Sequence, residues 1–142
     1  MNKLGLAISI AAKAFEGKTD KGGKPYILHC LRVMNSVNQK DEDLMIAAIL
    51  HDIVEDTDYT FSDLTVLGFS DRVIGILHLL THQKSTPYDE YIKAISVSAD
   101  ATAIKLADLR DNSDITRIKG LRKKDIDRIE KYHKSYIYLS NE

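Results

Sequence analysis

An all-α fold follows from three features of the sequence. Apolar residues recur at three- and four-residue spacing along most of it, capping residues stand ahead of those stretches, and no two alternating apolar runs are available to pair as a sheet. Together with a length of 142 residues, which suits one core of ordinary size, they predict a compact single-domain bundle of about seven to ten helices spanning residues 1–142.

Leu4, Ile8, Ala11 and Phe15 lie at i, i+4, i+7 and i+11 and mark a first helix, which Gly17 closes ahead of the polar loop Lys18 to Gly23. Pro25 opens a second, with Ile27, Leu31, Met34 and Asn38 expected as its inward stripe and His29, Arg32, Val33 and Ser36 on a neighbouring face. Asp41 is the expected N-cap of a third helix, with Glu42 and Asp43 in a first turn where the dipole favours acids. Its apolar run reads as one continuous helix to Asp56. Thr60 and Asp63 form a capping pair for a short helix ending at Gly68, and Ser70 caps another carrying Val73, Ile76, Leu77 and Leu80. Thr86-Pro87 starts the next; beyond it, Ile95-Ser96-Val97-Ser98 alternates enough to be extended, but four residues build no sheet. Ala99 to Asn112 reads as a helix with Ala101, Ile104 and Ala107 inward, and Arg122 to about Leu139 as a last one with Ile126, Ile129 and Tyr136 inward.

Composition narrows the function. A formal net charge of -1 argues against a general nucleic-acid binder, and no apolar run reaches the length of a membrane span. The opening residues are too weakly basic for a cleaved leader, so a cytoplasmic protein without nucleic-acid or membrane partners is expected. A single cysteine, Cys30, excludes an internal disulfide and a zinc ribbon, leaving histidines and carboxylates to hold any metal.

Such a set is present. The apolar run from Asp43 ends in His51, Asp52, Glu55 and Asp56, and apolar residues all round a helix imply burial. Acids in a last helical turn meet the negative end of the macrodipole, so a positive partner is expected, and a divalent metal fits the nitrogen and oxygen donors. At helical spacing the four side chains can face one cleft, with His29 and Asp108 as further donors from other segments. Two imidazoles and two carboxylates leave positions open for water and a phosphoryl oxygen. Glu55 and Asp56 then stay free to position the water and take its proton.

Three ordered segments carry a resemblance: Gly22-Gly23-Lys24-Pro25-Tyr26-Ile27-Leu28-His29, Ala48 to Thr57 with His51-Asp52 at its centre, and Ile104-Lys105-Leu106-Ala107-Asp108 followed by Asn112. The chain resembles the HD-domain metal-dependent phosphohydrolases, in particular the small alarmone hydrolases and the hydrolase domain of the Rel/SpoT enzymes. The resemblance implies the HD-domain helical fold and one Mn²⁺ held by His29, His51, Asp52 and Asp108, with Glu55 and Asp56 as the water-activating pair. It implies removal of the 3′-pyrophosphate of guanosine tetra- or pentaphosphate, with Lys21, Asn112 and Tyr132 holding the nucleotide. Lys105, one turn before Asp108, can meet a phosphate as a point charge.

Several positions depart from the pattern. Asp20 stands where alarmone hydrolases usually have arginine and is expected to repel a polyphosphate; Phe15, Lys18 and Cys30 replace the usual histidine, glutamine and proline. Another nucleotide, a phosphorylated nicotinamide cofactor, or a non-catalytic nucleotide-sensing role are the alternatives. Away from the three segments, His78 and His82 lie at i, i+4 without a matching carboxylate, and Lys119 to Lys124 reads as a solvated helix start. His133 reads as a surface residue and Cys30 as small packing volume.

Overall fold

A computed structural model describes residues 2–141; Met1, part of the weakly basic opening, lies outside them. The helices are α1 (Lys3–Ala14), α2 (Ile27–Asn35), α3 (Glu42–Ile49), α4 (Ile53–Asp56), α5 (Phe61–Val66), α6 (Asp71–Leu80), α7 (Tyr88–Ser96), α8 (Ala99–Asn112) and α9 (Lys123–Ser140), with a 3₁₀ turn at Ile115–Arg117. Among the described residues the nearest thing to a sheet is one bridge, Thr19 to Pro25, which pinches the 18–26 loop shut. No helix among them is long and apolar enough to cross a membrane.

The caps read from the sequence, Asp41, Ser70 and Thr60 with Asp63, stand where expected, and Asn2 and Ser98, which it did not single out, join them. Asn2, Asp41, Ser70 and Ser98 each accept a backbone N–H in the first turn of their helices, and Thr60 with Asp63 forms a reciprocal capping box. The Ile95–Ser98 stretch is not extended: α7 runs through Ser96, and Ser98 is already the cap of α8.

Helix α3 is the hub. Ile46, Ala47, Ala48, Ile49 and Leu50 are all buried, and the helix packs against α1, α2, α6 and α8. An apolar circumference is what a helix walled in on every side requires. Helix α8 is the second hub, touching α2, α6, α7 and α9. The site therefore grows where α2, α3 and α8 meet.

Two inward stripes differ from the expected ones. In α2 the buried residues are His29, Cys30, Val33 and Met34, one position round from the Ile27, Leu31 and Asn38 stripe, because His29 must face α8. In α9 Ile126 is 53 % exposed, while Asp125, Ser135 and Leu139 are buried. Asp125 accepts from the backbone N–H of Arg122 at 3.0 Å and from Arg128 at 2.8 Å, and this inward cap sets the rotation of the helix. Cys30 is fully buried, and burial pushes its thiol up to about 12, consistent with inert packing volume.

Candidate metal centre and adjoining cavity

The long helix expected from Asp43 to Asp56 is broken. After Ile49 the ladder tightens: His51 N–H reaches back to Ala48 O (3.3 Å) and Ile53 N–H to Leu50 O (2.9 Å), both i−3 bonds. His51 Nδ1 also bonds Ala48 O, at 2.7 Å, so the side chain fills the end of the helix it terminates. Glu55 and Asp56 consequently lie in α4, a separate four-residue helix that Asp56 ends, and not on the helix that begins at Glu42.

Around the break, His29, His51, Asp52 and Asp108 each direct one donor atom into a common space, all four within 4.8 Å of one another. His29 Nε2 lies 3.0 Å from Asp108 Oδ1 and 3.8 Å from Asp52 Oδ2. His51 Nε2 lies 3.2 Å and 3.0 Å from the same two oxygens. Ligands at about 2.1 Å from a shared ion sit about 3.0–3.4 Å apart along a coordination edge, so the spacing suits one small cation.

The outer hydrogen bonds decide which way the rings face. His29 Nδ1 bonds Asp111 Oδ2 at 2.6 Å and His51 Nδ1 bonds a carbonyl, so both Nδ1 atoms serve as N–H donors. Both Nε2 lone pairs then point at carboxylate oxygens, acceptor against acceptor, an arrangement that calls for a cation or a proton between them. Without a metal the proton takes that place: burial opposes charge on His51, but Asp52 and Asp108 outweigh it and hold its pKa well above the ordinary value. Asp108 is held well below the usual carboxylate range because Lys105 and the two imidazoles overcome the cost of burial. The residues fit a divalent ion.

Each ligand is buttressed. Tyr26 donates its hydroxyl to Asp52 Oδ2, and Asn112 Nδ2 donates to Asp108 Oδ1 at 3.0 Å. Lys105 Nζ donates to Asp108 Oδ2 at 3.0 Å, so its charge is turned to a ligand carboxylate. Glu55 Oε1 accepts the backbone N–H of His82 at 2.8 Å, and Asp56 pairs with Lys18 at 3.5 Å. Both carboxyls are raised above their ordinary values, chiefly by burial, with the Asp52 charge adding to it.

A cavity of about 520 Å³ adjoins the cluster, walled by Lys18, Lys21, Tyr26, Glu55, Asp56, Asn112, Arg117, Arg128 and Tyr132. A smaller one of about 270 Å³ shares Tyr26, Glu55, Asp56, Asn112 and Tyr132 and reaches Asp52, Lys105 and Asp108. All the site residues named from the sequence thus meet in one region, with Lys21 at its exposed rim. Asp20 behaves unlike the repelling acid expected: its Oδ1 accepts the N–H groups of Gly22 (2.9 Å) and Lys24 (3.0 Å), and Oδ2 pairs with Arg117 at 3.2 Å. Its charge is neutralised within the protein. His78 stacks on Phe61 and His82 on Tyr91, far from acting as a pair.

Sequence reasoning missed Asp111, Arg117 and Arg128. Asp111 carried a local signal, one turn beyond Asp108 on the same helix, whereas Arg117 carried none.

Residues 7–112 match the family model described as HD domain. The chain belongs to the HD domain family. Membership implies a divalent metal ion, and the His/Asp cluster is present for it. A Drosophila melanogaster relative, guanosine-3′,5′-bis(diphosphate) 3′-pyrophosphohydrolase MESH1, is 36 % identical over 104 residues, covering 67 % of this chain and 58 % of that protein. The bifunctional (p)ppGpp synthase/hydrolase SpoT of Escherichia coli is 28 % identical over 134 residues, 88 % of this chain and 19 % of its own length. This HD domain therefore spans less than two thirds of either relative. A solved structure, described as a metazoan ortholog of SpoT that hydrolyzes ppGpp, superposes with a TM-score of 0.81 at 28 % identity, covering 98 % of this chain and 85 % of that one.

Proposed function

We propose that this chain is a Mn²⁺-dependent hydrolase that removes the 3′-pyrophosphate of guanosine tetra- or pentaphosphate. The observation that carries the reading is the convergence of two imidazoles and two carboxylates beside a pair of free acids, on the wall of a cavity that also holds Lys18, Lys21 and Arg128. The names of the Drosophila and Escherichia coli relatives support the substrate.

His29, His51, Asp52 and Asp108 would hold the ion, their mixed nitrogen and oxygen donors suiting Mn²⁺. A bound divalent ion supplies Lewis-acid polarisation of a phosphoryl oxygen and a lowered water pKa. Glu55 is steered by the His82 N–H and left with a second oxygen for the attacking water, while Asp56, tied to Lys18, shares the proton burden. A raised pKa brings both closer to neutrality, where a general base works best. Water attacks the phosphorus attached to the ribose 3′ oxygen, that P–O bond breaks, the 3′ oxygen takes up a proton, and pyrophosphate leaves. Lys21, Asn112 and Tyr132 would hold the nucleotide, Tyr132 offering a ring face for a base.

The test is release of pyrophosphate or phosphate with Mn²⁺ from a panel of guanosine tetraphosphate, other nucleotides and phosphorylated nicotinamide cofactors. Guanosine tetraphosphate should yield guanosine diphosphate and pyrophosphate, and Glu55→Gln, which keeps the bond from His82, should lower kcat about 10²–10⁴-fold. Cleavage of a different panel member overturns the substrate; binding without cleavage of any of them marks a sensor.

A further inference from the structure

The two histidines of the cluster are oriented by different means. His51 is held by a carbonyl of its own helix end, Ala48 O, and needs nothing distant. His29 depends on Asp111, a side chain 82 residues away on α8. Asp111 is itself gripped from two sides. Arg32, one turn after His29 on α2, gives Nε to Oδ1 at 2.7 Å and Nη2 to Oδ2 at 3.1 Å. Arg117, from the 3₁₀ turn, places Nη1 3.3 Å from Asp111 Oδ2 and donates Nη2 to the Asp111 carbonyl at 3.0 Å.

Arg117 then reaches the cavity loop. Its Nη1 pairs with Asp20 Oδ2, while Asp20 Oδ1 ties together the N–H groups of Gly22 and Lys24. The loop backbone is pressed against the same turn: a Cβ on Gly22 would collide with the Arg117 carbonyl oxygen. Acids and arginines alternate without a break from the loop that carries Lys21 to the ring of His29. In this setting an arginine at position 20 would face Arg117 with like charge, which gives a physical reason for the acid found there.

We propose that Asp111 is the positioning residue that turns His29 Nε2 toward the cation, and that Arg117 and Asp20 extend this clamp to the cavity loop, coupling the seating of the loop to metal affinity. A carboxylate on the far nitrogen of a metal-binding imidazole fixes its tautomer and ring plane and commonly changes metal affinity about 10–100-fold. Here the carboxylate's own position is set by two guanidinium groups, one of which the loop holds. Anything that unseats the loop should loosen His29, and by linkage an occupied metal centre should favour the seated loop. The inference rests on the metal centre assigned above, not on which nucleotide is cleaved.

The experiment is titration of the full chain with Mn²⁺ in the absence of nucleotide, reading free Mn²⁺ by its paramagnetic resonance signal, with melting temperature as a parallel measurement. Asp111→Ala should weaken Mn²⁺ binding about 10–100-fold. Asp111→Asn, which keeps an oxygen for the His29 N–H, should restore part of that loss, as a merely structural brace would not. Asp20→Asn and Arg117→Gln, neither touching a ligand side chain, should each weaken it about 2–30-fold. Combined, they should cost no more than the larger single change, because they break one chain. Should Asp111→Ala fail to fold, this pair carries the test alone. Unchanged Mn²⁺ affinity in Asp111→Ala with a lowered melting temperature overturns the positioning role. Fully additive losses, or no loss at all, in the Asp20 and Arg117 variants overturn the link to the loop. Since the readout needs no turnover, a chain that cleaves no nucleotide can still pass, and an active one can still fail.

Discussion

Lys105→Met separates two roles for a lysine at the site. As a phosphate contact its loss would raise KM and leave stability alone. In the structure, however, its ammonium lies 3.0 Å from Asp108 Oδ2, with the carboxylate almost wholly buried and the ring of Tyr91 on another side. At an effective dielectric of about 20 the attraction at that distance is about 5.5 kcal/mol, and removing one partner of a buried pair typically costs about 3–5 kcal/mol, since Asp108 would keep only the two imidazoles and the Asn112 amide. Unfolding entropy of about 2.1 cal/mol/K per residue, over 142 residues, gives about 0.3 kcal/mol/K. The melting temperature of metal-free Lys105→Met should therefore fall by about 10–17 °C. Saturating Mn²⁺ should shrink this deficit, because a divalent charge against Asp108 Oδ1 takes over part of the neutralisation and no longer meets the repulsion of the ammonium. Scanning calorimetry of both proteins with and without Mn²⁺ reads the effect. An equal deficit in the two conditions, or none in the metal-free protein, refutes the reasoning and returns Lys105 to the substrate.

Two further outcomes follow from the geometry. Gly22→Ala should displace the loop from the 3₁₀ turn at a cost of about 1–3 kcal/mol in chemical denaturation, because the added Cβ meets a backbone carbonyl that cannot rotate away. Asp41, capping α3 and paired with Arg72 at 2.7 Å, has its pKa lowered chiefly by that side-chain bond. A lowered folded-state pKa contributes stability above the ordinary value near 3.8 that is lost as pH falls through the lowered one. Asp41→Asn should accordingly flatten the acid limb of the stability curve, and an unchanged limb below pH 4 counts against the pairing.

The helices and their caps were legible because the signals are local. Ser70 with Val73, Thr60 with Asp63 and Asp41 with Leu44 are contacts three residues apart, and a stripe such as Val73, Ile76, Leu77 and Leu80 needs only helical periodicity. Where periodicity was nearly symmetric, as in α9, the wrong apolar residue was assigned inward: the rotation came from Asp125, a polar cap that no hydrophobic pattern would select. The break at Leu50–Asp52 was equally hidden, since the apolar run continues through it and only the His51 ring bonding Ala48 explains where the ladder tightens.

By itself the sequence determined an all-α protein and the His51-Asp52 pair with two spare acids, because residue type and short-range spacing are enough for those, while His29 and Asp108 were named as ligands through the resemblance of three ordered segments. Only the tertiary structure decided that the helix breaks before Glu55 and Asp56, that Lys105 Nζ bonds Asp108, and that Asp20 is neutralised by Arg117. Asp20 and Arg117 are 97 residues apart and His29 and Asp111 are 82 apart, distances over which no repeat in the chain predicts who meets whom. Such pairings are set by how α2, α8 and the 3₁₀ turn pack, and buried charges then take whichever partner that packing brings within reach, since leaving them alone costs more.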